Sequence, residues 1–135
     1  MASLLGDLPG CGQVLDTGFV TYSVEAKQRL LGVRQATIDR YGLTSEEVAR
    51  EMALGALAAS SAELAVANTG VADASAEDPD GTQCFAYALG GEGEPVVISE
   101  TVRFEGDRVQ IRQRAAAYGL GRLIEAYRTL LAIRG

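Results

Sequence analysis

A tyrosine and a lysine lie five residues apart where a strand pattern gives way to a helix pattern. The segment Val14–Tyr22 is rich in β-branched and aromatic residues, which favours a strand. Ser23 is a good N-cap, and the amphipathic segment that follows it predicts a helix as far as Leu31. Tyr22 would then end the strand, and Lys27 would lie about one turn into the helix. A phenol and an amine in this arrangement can share a proton-transfer task.

Two interpretations of this pair are open from the residues alone. A lysine acts as a base at neutral pH only where burial or a neighbouring cation lowers its pKa. Alternatively, Lys27 is solvent-exposed on an amphipathic helix, and Tyr22 is a core residue at the end of its strand. The chain has no histidine, so any hydrolytic site formed by this sequence needs another base.

Length and composition indicate a single domain over residues 1–135. The chain is 47% hydrophobic and carries a formal net charge of −6, which argues against nucleic acids and anionic membrane surfaces as partners. No apolar run reaches the length of a membrane span, and no secretory signal is visible. The two cysteines, Cys11 and Cys84, form no disulfide framework, so a reduced, cytoplasmic location is predicted. Without histidine or clustered cysteines, we expect no metal and no cofactor.

The order of predicted elements is that of an α/β domain. The elements are a helix over Met1–Gly6, a strand over Val14–Tyr22, helices over Ser23–Leu31, Ala36–Tyr41 and Thr44–Ser60, strands over Glu63–Thr69, Gly81–Leu89 and Pro95–Phe104, and a helix from Asp107 to Ile133. The last two strands are expected to pair as an antiparallel hairpin. Such an order predicts a three-layer α/β/α sandwich with a mixed sheet.

Local signals specify the ends and faces of two helices. Thr44 and Glu47 have the spacing of a capping box, and Asp107 with Gln110 has the same spacing at the start of the last helix. Apolar residues recur at helical spacing in that last helix, which predicts a buried stripe. The stripe consists of Leu120, Leu123, Ile124, Tyr127 and Leu131.

Several separated segments carry a resemblance to a known family. GFVTYSVEAKQRLLGV, at residues 18–33, resembles the G-x-V-x-Y-S-x-x-x-K-x-x-x-L-G-V signature of the CinA C-terminal domain family. Leu43–Ala53 is similar to that family's V-S-E-E-V-A-x-x-M-A segment. Ala65–Gly70 is similar to its strand ending in Thr-Gly, and Gly81-Thr82 to the Gly-Thr that opens the next strand. The matches keep the family's order and spacing over nearly the whole chain.

The resemblance implies an activity. Stand-alone members of the family are amidases acting on nicotinamide mononucleotide, with a serine nucleophile activated by a lysine. Catalytic roles are thereby implied for Tyr22 and Lys27. Positions that line the substrate pocket are implied to be Gly18, Thr21, Ser23, Thr69 and Gly70. Because α/β sheets gather ligand sites at strand ends, we expect Lys27 to point toward the end of the strand near Thr69.

The resemblance also predicts where the nucleophile lies. In the family the serine belongs to a Ser-Cys-Thr-Gly-Gly loop that follows a first strand, and both align before Met1. We therefore expect that this sequence lacks that strand and loop, and that Met1 is not the natural first residue of the fold.

One loop departs from the family. The segment Val71–Asp80 carries four carboxylates where the family has a glycine- and proline-rich loop, and it predicts a solvated acidic turn. Carboxylates there could attract Ca²⁺ or Mg²⁺, but their spacing does not match a known calcium loop. Two functions stay open: an amidase with a small nucleotide substrate, or a divergent, inactive member that binds a small ligand or a protein. A homo-oligomer is compatible with either.

Overall fold

The central strand of the sheet separates two hydrophobic cores. In the computed structural model, which describes residues 1–71 and 81–135, strand β2 (Thr82–Leu89) lies between β1 (Leu64–Gly70) and β3 (Val96–Arg103). Both pairings are antiparallel, and Tyr87 stands opposite Val66 on one side and Ile98 on the other. Because side chains alternate along a strand, β2 contributes to both cores. The predicted hairpin is confirmed.

Helices cover both faces of this sheet. They are α1 (Ala2–Gly6), α2 (Val24–Leu31), α3 (Gln35–Tyr41), α4 (Glu46–Ala58), α5 (Arg108–Gly121) and α6 (Leu123–Arg134), with a short 3-10 turn over Cys11–Gln13. Helix α4 packs against the face that carries Cys84 and Ala86, and α2 packs on α4; α5 and α6 pack against the face that carries Phe85 and Tyr87. This confirms the three-layer α/β/α arrangement.

The strand predicted over Val14–Tyr22 is wrong. No backbone hydrogen bond joins residues 16–22 to another strand in the described part of the chain. Phe19 packs against the core below α4, but Val20 and Tyr22 are 89% and 83% exposed. β-branched and aromatic residues stabilise a strand through neighbours across the sheet, and here they have none. All the strand pairs that the structure describes are therefore antiparallel, where a mixed sheet was expected.

The last helix is interrupted, and its predicted buried stripe is wrong. Arg122 ends α5 and begins α6, so the helical phase restarts there. The buried positions of the two helices are Ile111, Ala115, Gly119, Ala126 and Leu130. Of the five predicted positions, Ile124, Tyr127 and Leu131 are exposed. A stripe drawn along one continuous helix cannot follow both segments.

One of the two predicted helix caps is confirmed, and the other lies one residue further along the chain. The capping box of Asp107 and Gln110 is present as predicted. Helix α4, however, starts one residue later than Thr44 would place it, because the buried Ser45 is the cap and its hydroxyl accepts the Val48 N–H at 3.2 Å. Serine and threonine cap helices almost equally well, so the sequence does not separate two adjacent candidates. The acidic turn predicted over residues 71–80 lies, from residue 72 onward, outside the described residues.

A carboxylate on α4 holds the start of α3. Glu51 accepts the Arg34 N–H at 2.9 Å, a guanidinium N–H of Arg34 at 3.3 Å, and the hydroxyl of Thr37. Burial acts to raise the pKa of the Glu51 carboxyl, but the hydrogen bonds from Thr37 and Arg34 and the charge of Arg34 outweigh it. The pKa is therefore lowered.

We expect Glu51→Gln to lower the free energy of unfolding by about 1–3 kcal/mol at pH 7, because hydrogen bonds to an ionised group are lost. A lowered carboxyl pKa stabilises the fold above the ordinary value of 4.5, and this stabilisation disappears as the pH falls through the folded-state pKa. The difference between wild type and variant should therefore shrink at pH 3 in chemical denaturation. Glu105→Gln, at an exposed position, is the control. Equal effects of the two variants at pH 7 would contradict the assignment.

Candidate active site

Lys27 is a buried lysine and the only lysine in the chain. Helix α2 presents it: Ser23 caps the helix by accepting the Ala26 N–H at 3.0 Å, and Gly32 ends it with φ 71°. The side chain of Lys27 is 7% exposed, and its amine donates a hydrogen bond to the carbonyl oxygen of Thr21. The alternative in which Lys27 is a solvated surface residue is therefore wrong.

Burial changes the acid–base behaviour of this amine. Removal from water disfavours the charged ammonium, and this lowers the pKa of Lys27 below its ordinary value of 10.5. A neutral amine has a lone pair that can accept a proton while one of its N–H groups still donates to the Thr21 carbonyl. Because the lowered pKa increases the share of this neutral form, the arrangement favours general base chemistry.

Tyr22 differs from Lys27 in both exposure and hydrogen-bond partner. Thr21 is 7% exposed whereas Tyr22 is 83% exposed, so the alternative of a core tyrosine is also wrong. The Tyr22 hydroxyl accepts a hydrogen bond from the guanidinium of Arg108 at 3.0 Å. Among the described residues, no hydrogen bond joins the tyrosine hydroxyl to the lysine amine. The structure thus brings Tyr22 together with a cation on α5.

A buried side-chain amide on the neighbouring strand β2 makes hydrogen bonds at the end of β1. Gln83 is 5% exposed; it accepts the Asn68 amide N–H at 3.0 Å and donates to the Val71 carbonyl at 3.2 Å. Gly70 stands opposite Gln83 in the sheet, and a Cβ at Gly70 would overlap the Gln83 amide. Thr69 is buried and donates its hydroxyl to the Leu43 carbonyl at 3.3 Å.

Five of the predicted site residues form two groups: Thr21, Ser23 and Lys27 at the start of α2, and Thr69 and Gly70 at the end of β1. Thr21 contacts Lys27 directly, and Ser23 begins the helix that carries it. Thr69 and Gly70 lie together at the end of β1. Gly18 lies against α1, where a Cβ would be 3.7 Å from the Ala2 Cβ, an ordinary contact. No contact between the two groups is described, so the orientation of Lys27 toward Thr69 stays a prediction.

Sequence reasoning missed two residues of these groups, Arg108 and Gln83. The capping box at Asp107 located the start of α5, but the contact from Arg108 to Tyr22 spans 86 positions and leaves no local signal. A glutamine inside the apolar strand TQCFAYAL was a visible signal, because a buried amide needs hydrogen-bond partners.

The described part of the chain has neither a cluster of metal-binding side chains nor a membrane-spanning helix. No group of three or more Cys, Asp or Glu side chains there could hold a metal ion. Within residues 1–71 and 81–135, no helix is long and apolar enough to cross a membrane.

Comparison with known proteins defines the class. The model of the CinA C-terminal domain matches residues 1–127. The fold is also that of a solved competence/damage-inducible protein, CihA from Agrobacterium tumefaciens, with a TM-score of 0.85 and 36% identity over 93% of this chain and 77% of that one. The chain belongs to the CinA C-terminal domain family.

Particular relatives have named activities. The chain is 43% identical to the nicotinamide-nucleotide amidohydrolase PncC of Enterobacter agglomerans over 123 residues, which are 89% of this chain and 73% of that protein. It is 41% identical to the protein of the same name from Escherichia coli K12 over 131 residues, 94% of this chain and 77% of the relative.

Replacing Lys27 with methionine tests the cost of burying the amine. Below the folded-state pKa the lysine is charged in both states, so burial lowers the stability of the wild type. Between that pKa and 10.5 the unfolded chain binds more protons, so the stability of the wild type rises with pH. We expect Lys27→Met to be more stabilising, relative to wild type, at pH 6 than at pH 10.

Chemical denaturation across this pH range measures the effect. Arg29→Met is the matched control, since Arg29 lies on the same helix and is exposed. A difference between wild type and Lys27→Met that does not change with pH would show that the amine titrates normally.

Proposed function

We propose that this protein hydrolyses the amide of nicotinamide mononucleotide to nicotinic acid mononucleotide and ammonia. The observation that carries the proposal is the buried amine of Lys27, whose pKa is lowered, at the position of the family's catalytic lysine. Relatives 41–43% identical to this chain are named for amide hydrolysis of nicotinamide nucleotides.

Lys27 accepts or donates a proton at each step of the proposed reaction. The neutral amine accepts the proton of a serine hydroxyl as the serine oxygen attacks the amide carbon. The resulting ammonium then gives its proton to the departing nitrogen, the carbon–nitrogen bond breaks, and ammonia leaves an acyl-serine. Lys27 next accepts a proton from water as the water oxygen attacks the ester carbon, and it returns this proton to the serine oxygen as the carbon–oxygen bond breaks and the acid is released. By the family resemblance, the serine belongs to a loop that aligns before Met1.

The remaining site residues have distinct proposed roles. Thr21 positions the lysine, because its carbonyl oxygen accepts the amine N–H. Ser23 accepts a backbone N–H, so its own hydroxyl proton stays able to donate to substrate. The Tyr22 oxygen accepts a hydrogen bond from Arg108, so the Tyr22 O–H stays able to donate a hydrogen bond near the nucleophilic serine. Both residues of the strand end, Thr69 and Gly70, together with Gly18, line the substrate pocket.

A second function rests on the sequence of the loop at residues 71–80. Four carboxylates replace a glycine- and proline-rich segment, and negative charge repels the phosphate of a nucleotide. A divergent member with such a loop would bind a different small ligand, or a protein, without catalysis. A cytoplasmic location and a homo-oligomeric state stay predictions under either function.

Ammonia release from nicotinamide mononucleotide tests the proposal. We would compare the 135-residue chain with the same chain joined to a first strand and a Ser-Cys-Thr-Gly-Gly loop of the kind that the family resemblance implies. The joined chain is expected to release ammonia, and the 135-residue chain is not, because the covalent route needs its nucleophile. In the joined chain, Lys27→Met should lower kcat by about 10²–10⁴-fold, the usual contribution of a general base. Arg29→Met should leave kcat unchanged.

One result would count against the proposed activity, and another against the assigned nucleophile. A joined chain that folds but releases no ammonia would favour the non-catalytic function. Lys27-dependent turnover by the 135-residue chain alone would show that the serine loop is not the nucleophile.

A further inference from the structure

One glycine lies where α2 crosses α4. Gly55 is in the interior of α4, and the last turn of α2 lies directly upon it. A Cβ built on Gly55 would overlap the Leu31 carbonyl oxygen and would lie 2.6 Å from the Leu31 carbonyl carbon and 2.8 Å from its Cα. All three are backbone atoms, so a change of rotamer cannot relieve the overlap. Any side chain at this position requires one helix to move.

The last turn of α2 is fixed rigidly to Lys27. Gly32 donates its N–H to the Gln28 carbonyl at 3.0 Å, and Val33 donates its N–H to the Lys27 carbonyl at 3.2 Å. This pattern closes the C-terminus of a helix with a left-handed glycine. The side chains of Leu31 and Val33 are 6% and 3% exposed in the same core as α4. A displacement at Leu31 must therefore be transmitted to Lys27, one helical turn away.

We infer that Gly55 is a positioning residue for Lys27: the lack of a side chain there sets how closely α2 packs on α4, and so how deeply the amine is buried. The helix itself gains nothing from this glycine, since alanine is the better residue in a helix interior. The benefit lies in the close approach of the two backbones.

Gly55→Ala is the variant that tests this role. The ideal Cβ contacts fall below 3.0 Å, a separation that real Cβ atoms essentially never show, so α2 is expected to move outward and expose the amine. Misplacement of a reacting group by about 1 Å can lower the rate about 100-fold. In the joined chain described above, kcat should fall about 10- to 100-fold. KM should change less than kcat, because Thr69 and Gly70 lie on β1 and only Ser23, at the start of α2, would move with the helix.

A second readout measures the exposure of the Lys27 amine independently of amide hydrolysis. Reductive methylation, resolved by peptide mass mapping, reports the modification rate of Lys27 relative to the N-terminal amine as an internal reference. Because Lys27 is the only lysine, the assignment is unambiguous. Gly55→Ala should raise that relative rate several-fold. Gly121→Ala is the matched control: the same change is made at a helical glycine with nothing within 4 Å of its Cβ position, and both readouts should stay at wild-type values.

The two readouts separate this inference from the proposed function on which it rests. Faster methylation of Lys27 in Gly55→Ala supports the positioning role even if the wild type releases no ammonia. Wild-type values of both kcat and methylation rate in Gly55→Ala would overturn it. If Gly55→Ala does not fold, Val33→Ala takes its place, because it loosens the same end of α2 without adding atoms. Unchanged methylation in Val33→Ala would equally overturn the inference.

Discussion

The removal of one amine from water is the constraint on which this site depends. An ion transferred to a protein interior loses several kcal/mol of solvation, whereas a single hydrogen bond to a charged group returns only about 1.5–3 kcal/mol. Lys27 is held by one carbonyl oxygen, that of Thr21, and no carboxylate within residues 1–71 or 81–135 forms an ion pair with it. Burial therefore lowers the pKa of the Lys27 amine below 10.5 and raises the share of the neutral form, which is the form that a base requires.

The rest of the fold can be understood as the support for that burial. Helix α2 is only eight residues long, too short to be stable alone, so its position comes from packing on α4. Gly55 allows the two backbones to approach, and Leu31 fills the core between them. Glu51 ties the next helix to α4 through Arg34. Helix α4 in turn packs on the central strand of the sheet, so the depth of the amine is set by the whole layer.

Local chemistry in the sequence predicted much of the fold, and contacts between distant segments decided the remainder. The cap at Ser23 and the helix that carries Lys27 were predictable, because a cap and a helical pattern involve neighbouring residues. Whether the lysine is buried depends on the packing of α2 against α4, which no local pattern encodes. The contact between Tyr22 and Arg108 joins two exposed side chains 86 positions apart. The break at Arg122 likewise became visible only in the structure, and it leaves three of the predicted buried positions of α6 exposed.

The most direct test of this account is the titration of the Lys27 ε-amine in the folded wild-type protein by NMR. As the only lysine in the chain, it gives a single ε-methylene resonance that needs no assignment among neighbours. A titration midpoint below the ordinary value of 10.5 is expected, because burial disfavours the charged ammonium. A midpoint at or above 10.5 would contradict it, because a permanently charged Lys27 could not accept the proton that the proposed reaction assigns to it.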